Sequence, residues 1–196
     1  MEADRIKWNE RFRSENLFLG ERPSPFLASE MERLLRLAPG RRALDIACGE
    51  GRNSIFLARH GFRVTGIDIS DAGIAKAERQ ARAEGLEIDF RRMDLDGWQT
   101  DGLYDLLLNF NFLLRPLIPE EVRALAPGGL LLFDTILESP RLPATHNPDF
   151  FLRYGELEET FQAFGGEILF SEEIRGGEMP TARLLFRKMG GEPQVA

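Results

Sequence analysis

Scarcity bounds this chain before any motif does. Its 196 residues hold one cysteine, two tryptophans, two tyrosines and two histidines. A single thiol, Cys48, excludes an internal disulfide and suits a reducing compartment, so the expected location is the cytoplasm. Positive charge is not in excess: 25 basic against 32 acidic side chains give a net charge of −7. That argues against a nucleic-acid partner, which calls for a basic face. Long apolar runs are missing too. No uncharged stretch approaches the roughly 18 residues of a membrane helix, and Met1 to Arg13 is charged where a secretory leader would be apolar. No His/Cys/Asp cluster has metal-ligand spacing, and no Ser/His/Asp order points to covalent catalysis. Repeats and low-complexity blocks are absent. What remains is an ordinary globular composition, 43% hydrophobic and 29% charged, expected to form one domain with a sizeable core.

The first 40 residues read as a helical cap. Residues 4–19 carry Ile6, Trp8, Phe12, Leu17 and Phe18 among charges at loosely helical spacing. Pro23-Ser24-Pro25 breaks that helix. Ser24 is placed to cap the next one, with Phe26, Leu27, Met31, Leu34 and Leu35 on its apolar side.

From Arg41 to Leu137 strand and helix signals alternate, as in parallel βα units. Strands are expected at 42–47, 63–69, 87–93, 104–110 and 130–137, with helices at 53–60, 72–84 and from Pro119 to Pro127-Gly128-Gly129. Three prolines in 138–149 mark a loop long enough to act as a lid. A helix at 149–164 and two strands, 167–175 and 181–189, complete the chain. The predicted fold is α/β, Rossmann-like and doubly wound. Its sheet is mostly parallel and seven-stranded, with helices on both faces and a C-terminal antiparallel hairpin.

The chemistry concentrates in Arg42-Ala43-Leu44-Asp45-Ile46-Ala47-Cys48-Gly49-Glu50-Gly51-Arg52-Asn53, a strand entering a helix through two glycines. Such a turn brings backbone close to a nucleotide-like ligand. Two glycines alone are a weak dinucleotide fingerprint, and Asp45 and Glu50 would repel a pyrophosphate while attracting an ammonium or sulfonium. Asp68, ending the second strand, can accept from both hydroxyls of a ribose. Asp94 after the third strand can accept from an adenine amine, with Ile69 and Leu95 over the ring faces. Asn53 reads equally as a helix cap or a ligand contact, and Asn109 stands at the carboxyl end of the fourth strand.

These residues resemble the class I S-adenosylmethionine-dependent methyltransferases over about 41–137. They match the acidic-x-Gly-x-Gly-x-Gly pattern, with Ala47 in place of the first glycine, the acidic end of strand two, and Pro127-Gly128-Gly129. Trp8-Asn9-Glu10-Arg11-Phe12, Pro23-Ser24-Pro25-Phe26-Leu27 and Cys48-Gly49-Glu50-Gly51-Arg52-Asn53 are similar to the tellurite-resistance-type branch and its thiopurine-methylating relatives. The resemblance implies S-adenosylmethionine as cofactor, S-adenosylhomocysteine as product and a small, soft or polar acceptor such as a thiolate or chalcogen anion. A soft acceptor of this kind needs no general base. The cofactor set is then Asp45, Ala47, Gly49, Gly51, Asn53, Asp68, Ile69, Asp94, Leu95 and Asn109. Arg115, Tyr154 and His146 are further candidates for the acceptor side; Cys48 reads as packing. Two other classes stay open: an NAD-dependent oxidoreductase sharing Asp68, and a non-catalytic S-adenosylmethionine-binding regulator. Asn109-Phe110-Asn111-Phe112 lacks the Asn-Pro-Pro-aromatic pattern of enzymes that methylate DNA amines.

Overall fold

The computed structural model describes residues 2–139, 147–177 and 179–190. Seven strands form one sheet in the order β3-β2-β1-β4-β5-β7-β6. They are β1 (Arg42–Ile46), β2 (Arg63–Asp68), β3 (Asp89–Arg92), β4 (Tyr104–Phe110), β5 (Leu125–Ile136), β6 (Glu167–Ile174) and β7 (Thr181–Arg187). The first five run parallel. β7 inserts antiparallel between β5 and β6, so the expected hairpin is present and its second strand lies inside the sheet. Leu106, Leu107 and Leu108 are all fully buried, because β4 is covered on both faces, as its unbroken apolar run predicts.

Helices α2 (Pro25–Leu37) and α3 (Arg52–Arg59) cover one face, placing Phe26, Leu27, Leu34 and Leu57 against Ala43, Leu106, Leu108 and Leu132. Helix α4 (Asp71–Ala83) lies beside α3 and packs on β2 and β3. On the other face, α5 (Ile118–Arg123) and α6 (Glu156–Gln162) contribute Val122, Leu157 and Phe161 to a cluster with Ile46, Leu107 and Phe133. At Gly61 the backbone is left-handed (φ 82°), which stops α3 where His60-Gly61 predicts.

Three expectations need correction. The first helix, α1, spans only Glu2–Arg11. Beyond it, tertiary bonds take the backbone: Phe18 N–H donates to Glu50 and Asn16 C=O accepts from Lys76. The expected helix at 149–164 begins only at Glu156. Leu152 instead joins Leu137 in an isolated parallel bridge, and left-handed Gly155 (φ 76°) sets the helix start. Pro127-Gly128-Gly129 does not precede β5 but belongs to it, at a register shift opposite Tyr104 and Leu106. Of the expected lid, residues 140–146 lie outside the described residues, His146 among them.

Candidate functional site

The carboxyl ends of β1 and β2 meet at the glycine turn. Cys48 N–H donates to Ile67 C=O (3.0 Å), and Gly51 N–H to Cys48 C=O (2.9 Å). Gly49 N–H donates to Asp68 Oδ2 at 2.8 Å, and Ser70 N–H donates to Asp68 Oδ1 at 2.8 Å. Asp68 is thus locked beneath the turn with one acceptor position used on each oxygen. Met93 N–H binds Asp68 C=O (2.8 Å), which brings the Asp94–Leu95 segment alongside. Asp94 is exposed and accepts from Asp96 N–H, Leu95 is buried and Ile69 half-buried.

Asp45 is buried on the α3 side of β1, where Ser54 Oγ donates to it at 2.6 Å. Burial pushes its carboxyl up to about 7, against the pull of Ser54, and the neighbouring Asp68 adds to the rise. Burial raises Asp68 as well, opposed by the N–H donors of Ser70 and Gly49. Cys48 is pushed well above its ordinary range by burial and by both carboxylates, which disfavours the nucleophilic thiolate. Ala47 stands at φ 51°, a left-handed position that accounts for glycine being the pattern's usual residue there.

Several sequence-based roles change. Glu50 does not face the ligand: Lys76 Nζ holds it at 2.7 Å and Phe18 N–H at 2.7 Å, inside the protein. Asn53 caps nothing in its own helix, since Gly51 is the N-cap; its Oδ1 accepts from Ser24 N–H (2.9 Å) and anchors the entry to α2. Asn109 turns away from the glycine turn and donates from Nδ2 to Glu121 Oε1 at 2.7 Å. The glycines serve packing as much as ligand approach. A Cβ at Gly49 would lie 3.2 Å from the Phe12 ring, and one at Gly51 would lie 2.7 Å from Ala77 Cβ.

The N-terminal helix roofs this region. Phe12 is buried and stacks on Trp8 with ring centroids 5.6 Å apart. Asn9 Oδ1 accepts from Ser70 Oγ (2.8 Å) and Ala72 N–H (3.0 Å), fastening α1 to the start of α4. The sequence reading missed Asn9, Lys76 and Glu121. A signal existed for Lys76, which shares the buried face of α4 with Gly73 and Ala77. Arg115 is a strut, bound to Glu156 and to the carbonyls of Asp149 and Phe151. Tyr154 lines a surface cavity of about 470 Å³ between α6 and the hairpin, away from Asp45 and Asp68. Among the described residues no three His, Cys, Asp or Glu side chains gather as a metal site, and no helix is long and apolar enough to cross a membrane.

A doubly wound sheet with an antiparallel seventh strand carries paired carboxylates at the ends of β1 and β2, in a strand order that departs from the 3-2-1-4-5-6 of dinucleotide folds. Residues 43–129 match the family described as methyltransferase domain. The chain is 32% identical over 152 residues to the ubiquinone biosynthesis O-methyltransferase of Nitrosococcus oceani, a match covering 66% of this chain and 64% of that protein. The chain thus spans less than two thirds of that relative's length. The N-methyltransferase NodS from Bradyrhizobium japonicum, in complex with S-adenosylhomocysteine, superposes with a TM-score of 0.70 at 23% identity, over 94% of this chain and 97% of that one. TehB from Haemophilus influenzae superposes with a TM-score of 0.67 at 24% identity, over 82% and 62%. Over residues 43–129 the chain thus matches a methyltransferase domain, and beyond it the chain is similar to S-adenosylmethionine-dependent methyltransferases.

Proposed function

We propose that the protein binds S-adenosylmethionine over the glycine turn and transfers its methyl group to a small-molecule nucleophile. The observation that carries this reading is Asp68, fixed by Gly49 and Ser70 N–H groups with acceptor capacity left on both oxygens for two ribose hydroxyls. Asp45 is assigned to the cofactor's cationic methionine end, Asp94 to the adenine amine, and Ile69 and Leu95 to the ring faces. Ala47, Gly49 and Gly51 shape the turn, and Asn109 contributes through its backbone. Methyl transfer from a sulfonium is an in-line displacement, so the protein's task is to hold donor and nucleophile about 3–3.5 Å apart and aligned.

For the acceptor we favour a small soft anion, a thiolate or chalcogen species, which is nucleophilic without a base. Similarity to an O-methyltransferase makes oxygen the competing acceptor atom. Calorimetry with S-adenosylmethionine and S-adenosylhomocysteine tests the cofactor, and absence of binding at about 1 mM, a bond of only roughly 4 kcal/mol, would refute it. Incubation with thiols, selenite, tellurite and phenols, followed by assay of S-adenosylhomocysteine, then identifies the acceptor. Binding without turnover on every acceptor would mark a regulator rather than an enzyme.

A further inference from the structure

Behind the end of β4 sits a polar pair that the proposed reaction does not use. Asn109 and Glu121 are buried, at 1% and 0% exposure. Asn109 Nδ2 donates to Glu121 Oε1 at 2.7 Å. The two remaining atoms, Asn109 Oδ1 and Glu121 Oε2, are both buried and lack a hydrogen-bond partner. An ionised carboxylate there would keep one hydrogen bond and no countercharge in an apolar cluster, which costs far more than neutralising it. The surrounding charges are committed elsewhere. Glu120 is held by Arg123 and by Thr100 N–H, Arg115 by Glu156, Asp105 by Arg42 N–H, and Asp134 faces Arg183. One proton on Glu121 Oε2 satisfies both orphans at once, by donating to Asn109 Oδ1 and closing a two-hydrogen-bond ring between acid and amide.

We propose that Glu121 is held as a neutral carboxylic acid in a cyclic pair with Asn109, and that this pair positions the end of β4 beside the cofactor turn. Asn109 is aligned with Ile46 across the β1–β4 ladder, one residue before the turn begins, so its backbone placement depends on where its side chain is tied. Burial pushes the Glu121 carboxyl up to about 8, against the pull of Asn109. The pair is therefore intact at neutral pH and opens in mild alkali. The cofactor half of this assignment rests on the proposed function; the protonation half does not.

Glu121→Gln tests both halves, because a glutamine amide closes the same ring with no proton to lose. In the wild type the unfolded chain releases a proton that the folded chain keeps. Its unfolding constant relative to E121Q is therefore expected to rise about tenfold per pH unit between about pH 5.5 and 7.5 in urea titrations. Parallel curves would overturn the neutral acid. For S-adenosylhomocysteine, the wild-type affinity is expected to match E121Q near pH 6.5 and to fall about tenfold below it near pH 9, where about one molecule in eleven keeps the proton. A constant ratio across pH would overturn the positioning role. A tenfold slope with no ligand binding at any pH would uphold the acid and refute the cofactor reading instead. If E121Q does not fold, infrared difference spectra of the wild type between about pH 8 and 10 give the answer. Loss of a protonated-carboxyl stretch supports the pair, and a flat spectrum in that region overturns it.

Discussion

Cofactor affinity should depend on pH through Asp45. Its carboxyl stands at about 7 because it is buried with Ser54 as its hydrogen-bonding partner and Asp68 nearby. If only the ionised form holds the cofactor's cationic end, about one molecule in eleven is competent at pH 6 and about ten in eleven at pH 8. The affinity for S-adenosylmethionine should therefore rise about tenfold between those values, roughly 1.4 kcal/mol, with a proton released on binding. Calorimetry in two buffers of different ionisation enthalpy measures both the affinity and the proton. The sign for the free protein is opposite. A carboxyl raised on folding adds stability at low pH that is lost as pH climbs toward 7, so ligand-free stability declines over the window in which binding strengthens. Asp45→Asn keeps an oxygen for Ser54 and removes the titration. Its binding profile should lack this rise between pH 6 and 8. A wild-type profile that matches Asp45→Asn would refute the assignment.

Three further outcomes are expected. Asp68→Ala strips an acceptor from Gly49 and Ser70 N–H groups as well as from the ribose; about 1–3 kcal/mol for each of the two lost ribose bonds predicts loss of at least about 30-fold in S-adenosylhomocysteine affinity together with a lower urea midpoint. Unchanged affinity would remove Asp68 from the site. Lys76→Met abandons the Glu50 carboxylate, whose side chain is only 6% exposed, and should cost about 3–5 kcal/mol; a loss below about 1 kcal/mol would mean that Glu50 finds another partner. At Ala47, with φ 51°, Ala47→Gly should leave stability unchanged or raise it by up to about 1 kcal/mol, while Ala47→Val should lower it by about 1–3 kcal/mol, both read from thermal unfolding.

Sequence pattern reached the sheet because strand periodicity and helix stops are local signals: the 104–110 run and His60-Gly61 each announce themselves within a few residues. Asp68 was legible for the same reason, as the acidic end of a strand, and the structure puts it under Gly49. The misses share a different cause. Glu50 looks like a free carboxylate in sequence, and its neutralisation by Lys76, 26 residues away, exists only after α4 docks. Asn109 looks like a ligand residue at a strand end, but strand alternation sends its side chain to the α5 face, where Glu121 waits. Leu17 and Phe18 extend an apolar pattern that the tertiary bonds of Phe18 and Asn16 override. Long-range pairing decides all three cases.

The loss of Glu50 from the site changes why the turn prefers a cation. Composition suggested two carboxylates, Asp45 and Glu50, repelling phosphate; with Glu50 paired to Lys76, the field comes from Asp45 and Asp68 instead. Backbone donors point the same way. A pyrophosphate needs unsatisfied N–H groups at a helix start, yet Cys48, Gly49 and Gly51 N–H are all consumed inside the protein, one of them by Asp68 itself. At an effective dielectric of about 20, a single charge about 5 Å from Asp45 interacts by roughly 3 kcal/mol, unfavourably for a phosphate oxygen and favourably for an ammonium or sulfonium. The difference between the two ligands is then roughly 6 kcal/mol per charge before any donor is counted. A turn that gives its Gly49 N–H to a carboxylate departs from the logic of a phosphate loop, and this departure, more than the number of its glycines, supports the proposed cationic adenosine cofactor over a dinucleotide.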